Sequence, residues 1–150
     1  MRAVERSLDV TPDYMFALNA RARFYTFAGR LAGARDLFER VIPVLSQNRI
    51  IHRVLVHKST CQFASNDMAD APDTARKSLD CAPNAPHSLA IAAASASVQG
   101  EANLASRFME TLLDTKPHPT LPKIRPLGFA DQHIEEVYRS ALTAAGLPLD

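Results

Sequence analysis

The stretch SVQGEANLASRFMETLLDTKP, residues 97–117, carries a Gly, an Ala five positions later and a closing Pro, and these intervals recur upstream. Gly100 opens GEANLA, Gly29 opens GRLAGA and, between them, Asn66 opens NDMADA. Gly and Asn most readily adopt the left-handed backbone with which helices end, so Asn66 is a chemical equivalent of the two glycines. Pro83 and Pro117 each follow their turn residue by seventeen positions, whereas Gly29 leads to Ser46. Asn66 and Gly100 are 34 residues apart, and Gly29 and Asn66 are 37 apart. Thirty-four residues is a helix-turn-helix period, and the longer interval places about three extra residues near VLSQNRI.

The residues around each turn keep helical periodicity. In YMFALNARARFYTFAGRLAGARDLFERVIPVL, Leu18, Ala22 and Tyr25 form one stripe of a first helix, and Ala34, Phe38 and Val41 form one stripe of a second. The third unit repeats this with Leu89, Ala93 and Ala96 before the turn and Ala105, Met109 and Leu112 after it. The middle unit is more polar, with Leu55, Ser59 and Gln62, then Ala71, Ala75 and Ser78. The pattern predicts an all-α solenoid over residues 1–117, with units at 15–48, 49–85 and 86–117. Residues 1–14, closed by Pro12, read as the second helix of a partial unit.

Ala22, Tyr25, Gly29, Ala34 and Phe38 together resemble the tetratricopeptide repeat, which carries a small residue and an aromatic in its first helix, Gly at the turn, and Ala and an aromatic in its second. Val41, Leu112, Ser46 and Gln62 depart from that pattern. The resemblance implies a curved stack of helix pairs that binds a protein or peptide on its concave, first-helix side. It implies neither catalysis nor a cofactor.

After Pro117, PHPTLPKIRPLGF cannot continue a helix at Pro119, Pro122 or Pro126, so residues 118–129 read as a connector. Residues 130–147 restore a helix. Asp131 is placed to cap it, Ile134, Val137, Tyr138, Ala141 and Leu142 share one face, and Gly146 with Pro148 ends it. With Glu135, Glu136 and Arg139 outward, this helix is expected to cover the apolar flank of the last unit. The layout also resembles the C-terminal tail of bacterial signalling proteins in which a class III nucleotide cyclase or a winged-helix DNA-binding domain precedes such repeats. That resemblance implies a regulatory tail whose chemistry lies upstream, and it suits a first helix with Val4 and Leu8 left to cover, by self-association if by nothing upstream.

Composition adds exclusions. The chain has 150 residues, 47% of them hydrophobic, and 17 basic side chains nearly balance 16 acidic ones, so no net field favours nucleic acid or a membrane surface. Cys61 and Cys81 stand alone and MRAVERSLDV shows no apolar h-region, so a reducing cytoplasm is the expected compartment. No run approaches the ~18 apolar residues of a membrane span.

Candidate chemistry is sparse. His52 and His57 lie about 140° apart on a helix and cannot readily share a metal, so they read as solvated or capping residues. Asp67, Asp70 and Asp73 gather at a helix start, where capping explains them, and the two cysteines read as small core residues. No nucleophile elbow, Walker loop or dinucleotide fingerprint is present. Binding is left. The inward positions of the first helices include Asn19, Arg23, Phe27, Arg53, Thr60, Phe63 and His87. Arg23, Arg53 and Asn19 suit an acidic or carboxylate group, with Phe27 and Phe63 as apolar anchors.

Overall fold

The computed structural model describes residues 1–11, 14–115 and 127–149. Among them are eight helices and no strand: α1 (Arg2–Val10), α2 (Met15–Phe27), α3 (Leu31–Leu45), α4 (Ile51–Ala64), α5 (Ala71–Cys81), α6 (Pro86–Val98), α7 (Ala102–Leu113) and α8 (Gln132–Ala144). Pro12 and Pro117, and all of the connector before Leu127, lie outside the described residues.

The three turn residues of the sequence pattern are left-handed, with φ of 75° at Gly29, 58° at Asn66 and 79° at Gly100. Each closes its helix with the same pair of bonds. Arg30 N–H donates to the Tyr25 carbonyl at 2.8 Å and Gly29 N–H to Thr26 at 3.2 Å; Asp67 and Asn66 bond Gln62 and Phe63 in the same way, and Glu101 and Gly100 bond Ala96 and Ser97. These bonds satisfy carbonyls that the helix leaves without partners. α8 ends identically, through Leu147 to Leu142 and Gly146 to Thr143, with Gly146 at φ 105°.

Each turn folds a second helix back on the first, so that α2 packs on α3, α4 on α5 and α6 on α7. The pairs then stack: α3 meets α4, α5 meets α6, and the first helices α2, α4 and α6 lie side by side, while α1 packs on α2. This is an all-α, solenoid-like arrangement. One apolar cluster joins α1, α2, α3 and part of α4 around Ala22, Ala34, Phe38 and Val41. Another joins the later helices around Ala93, Ala105, Met109 and Tyr138. The polar stripe of the middle unit is buried and bonded. Ser59 donates to the Ala71 carbonyl at 2.7 Å, and Ser78 to that of His52 at 2.7 Å, so two hydroxyls tie α4 to α5 where larger apolar groups would have filled the gap.

Several side chains stand elsewhere than expected. Cys81 is exposed rather than in the core, because it ends α5; only Cys61 is buried. Asp70 precedes α5 in a helical backbone conformation and makes no side-chain cap, and Asp73 instead pairs with Arg76. Asp131 does cap α8, its Oδ1 accepting from His133 N–H at 2.9 Å. Glu135 does not point outward. It is buried, and its carboxylate accepts the N–H groups of Leu127 at 3.1 Å and Gly128 at 3.2 Å, pinning the segment before α8 onto the helix.

That segment positions the site. α8 packs on α6, Tyr138 reaches Phe63 of α4, and Phe129 reaches Phe27 of α2 with ring centroids 5.3 Å apart. Ala130 N–H donates to the Phe27 carbonyl at 2.7 Å. The C-terminal arm therefore touches all three first helices.

Candidate functional site

The first helices offer different surfaces along their length because α8 covers part of them. Phe63 is 3% exposed beneath Tyr138 and Thr60 is 1% exposed, its hydroxyl turned to the Val56 carbonyl at 2.8 Å. Neither presents its side chain at the surface. Asn19 is half-buried on α2, and its Oδ1 has no hydrogen-bond partner. Arg23, Phe27, Arg53 and His87, by contrast, meet around one open cleft of about 440 Å³ that α2, α4 and the start of α6 enclose with Leu127.

The cleft is basic. Arg23 and Arg53 are exposed at its walls, and Arg23 is held over the Phe27 ring, 5.9 Å from its centroid. His52 and His57 also line it, so the structure brings to one cleft two imidazoles that sequence spacing placed on separate helix faces. No carboxylate lines it among the described residues. α6 begins here with Pro86 in its first turn and no side-chain cap, so its free backbone N–H groups add partial positive charge.

His57 is not the solvated residue its sequence context suggested. Its ring stands 6.4 Å from that of His87, and both residues are half-buried. Burial, then His87, Arg23 and Arg53, push the His57 pKa down from 6.5 to about 3. Burial and then Arg23 lower that of His87. His57 is thus neutral at physiological pH. His57 Nδ1 and His87 Nε2 are buried without a hydrogen-bond partner, a costly arrangement for polar atoms. One signal pointed to His57: it lies four residues after Arg53, hence on the same side of α4.

A second cleft of about 380 Å³ adjoins the first, sharing Arg23 and Phe27 and adding Ala20, Phe24, Ala28 and Gly128. Its side chains are apolar apart from Arg23. No group of three potential metal ligands occurs among the described residues. No described helix is long and apolar enough to cross a membrane.

Comparison with protein-family models, curated proteins and solved structures found no match to this chain.

Proposed function

We propose that the chain is a protein-binding module of the tetratricopeptide type, acting in the cytoplasm without catalysis, and that its partner docks on the part of the first-helix face that α8 leaves open. The observation carrying this reading is the basic cleft: Arg23 and Arg53 face one opening that the uncharged His57 ring and the His87 ring also line, from three helices in all, with no carboxylate lining it among the described residues. A surface built this way leaves positive charge unbalanced, which an anionic partner segment relieves. The repeated left-handed turns at Gly29, Asn66 and Gly100 support the repeat type. Binding is favoured over chemistry because Ser88, whose hydroxyl is the one that the described residues bring to the cleft, is already engaged with Ser78 Oγ at 2.9 Å. Free thiols at Cys61 and Cys81 support a reducing compartment.

The test is capture from a lysate of the source cell by the wild-type chain and by Arg23→Glu/Arg53→Glu. Both arginines are exposed, so the variant is expected to melt with the wild type yet lose the captured protein. An unchanged set of captured proteins would rule out this surface.

A further inference from the structure

We infer that the partner segment carries a phosphate monoester, as phosphoserine or phosphothreonine, with an apolar side chain beside it. This rests on the binding role proposed above and specifies its ligand. The donors that converge on the basic cleft are two guanidiniums, on α2 and α4, and the uncapped start of α6, with the His57 and His87 rings lining the same opening. A planar carboxylate offers two oxygens to such an array. A phosphate monoester offers three, spread in space and carrying close to two charges, and so engages donors arriving from three helices at once. The opening of about 440 Å³ admits the phosphoryl group together with the backbone that bears it.

The neighbouring cleft supplies the second half of the recognition. Arg23 and Phe27 belong to both openings, so a segment whose phosphate meets Arg23 from one side lays its adjacent residue against Ala20, Phe24 and Phe27 on the other. Arg23 is already stacked over Phe27, which limits the side-chain freedom lost on binding. The bound dianion also changes the imidazoles. The charged groups facing them are Arg23 from α2 and Arg53 from α4, with His52 beside them; Leu127 brings no charge, although the Glu135 carboxylate binds its N–H from behind. Neutralising the two arginines removes part of what holds the ring pKa values down, so His57 and His87 take up protons more readily in the complex.

The experiment is isothermal titration of the full chain with four probes: an acetylated, amidated pentapeptide containing Leu-phosphoserine-Leu, the same peptide with serine, the same with glutamate, and inorganic phosphate. The phosphopeptide is expected to bind at least roughly tenfold more tightly than the serine or glutamate peptide, with inorganic phosphate competing weakly. Arg23→Gln and Arg53→Gln are expected to weaken it roughly tenfold each at an unchanged melting temperature. The ring protons of His57 and His87 are expected to shift on binding. Equal affinity for the serine or glutamate peptide would overturn phosphate recognition. Inorganic phosphate binding as tightly as the phosphopeptide would assign the cleft to a small phosphorylated molecule and overturn the partner segment. If no phosphorylated probe binds while the wild-type chain still captures a protein that the double Arg variant loses, the phosphate is overturned and the protein-binding role stands. If arginine-dependent capture is also absent, both fall.

Discussion

Tyr138 stands edge-on to Phe63, with ring centroids 5.8 Å apart and planes 83° apart, and this contact closes the Phe63 part of the first-helix face. Phe63 belongs to α4 and Tyr138 to α8, so the ring that sequence periodicity assigned to a partner anchor is occupied by the chain's own C-terminal arm. Tyr138 is 1% exposed. Tyr138→Ala is expected to cost about 3–5 kcal/mol of unfolding free energy. Hydrogen exchange should show the loss concentrated in α8, with Phe63 uncovered. Protection of α8 equal to that of the wild type would show that Tyr138 does not hold it down.

Ala34 is fully buried in the apolar cluster that α3 shares with α2, which also holds Ala22, Tyr25 and Phe38. Ala34→Asp is expected to unfold the first helix pair, since an unpaired buried charge costs more than a marginally stable domain can absorb. Circular dichroism and a thermal melt matching the parent would refute the packing register given for α2 and α3.

The turns allow a finer test. An added Cβ at Gly100 would meet no atom within 4 Å, so Gly100→Ala is opposed by backbone strain alone and is expected to destabilise by about 1 kcal/mol. Asn66→Gly relieves the same strain in the opposite direction and is expected to stabilise by a few tenths of a kcal/mol, or to be neutral once unfolded-state entropy is counted. Urea titration of the two variants checks both signs.

The buried imidazoles predict an acid-sensitive fold. His57 in the folded chain resists protonation down to about pH 3, whereas in the unfolded chain it titrates near 6.5. Below pH 6.5 the unfolded state therefore binds a proton that the native state refuses, and stability falls with pH by up to ~1.4 kcal/mol per pH unit for this group. His87 acts in the same direction. Above pH 6.5 neither contributes a slope. His57→Phe is expected to flatten the fall between pH 6.5 and 5, as measured by urea unfolding at each pH; an unchanged slope would mean that the ring is solvated.

What could be read from the residues was what depends on local backbone chemistry. Gly29, Asn66 and Gly100 were identifiable because few residue types tolerate their φ, and the Ala and aromatic stripes because packed helices demand small and large side chains at fixed intervals. Asp131 was identifiable for the same local reason. The site was less legible. Arg23, Arg53 and His87 follow from the repeat register, but the approach of Tyr138 to Phe63 and of Phe129 to Phe27 depends on where the chain re-enters after Thr115, which no local propensity specifies. Glu135 misled because a carboxylate on a helix normally faces water, whereas here two backbone N–H groups from residues 127 and 128 compensate its burial. The polar middle unit looked weak for a related reason: Ser59 and Ser78 stabilise through hydrogen bonds that hydrophobic patterning does not register.

The C-terminal arm has one further consequence, which concerns competition. Because α8 is part of the chain whose groove it covers, it faces Phe63 at an effective concentration on the order of millimolar, unaffected by dilution. A ligand aimed at the middle of the groove has to outcompete that tethered occupant before it shows any net affinity. A ligand that reads Arg23 and Arg53 meets no part of α8, because the arm borders that opening only at Leu127.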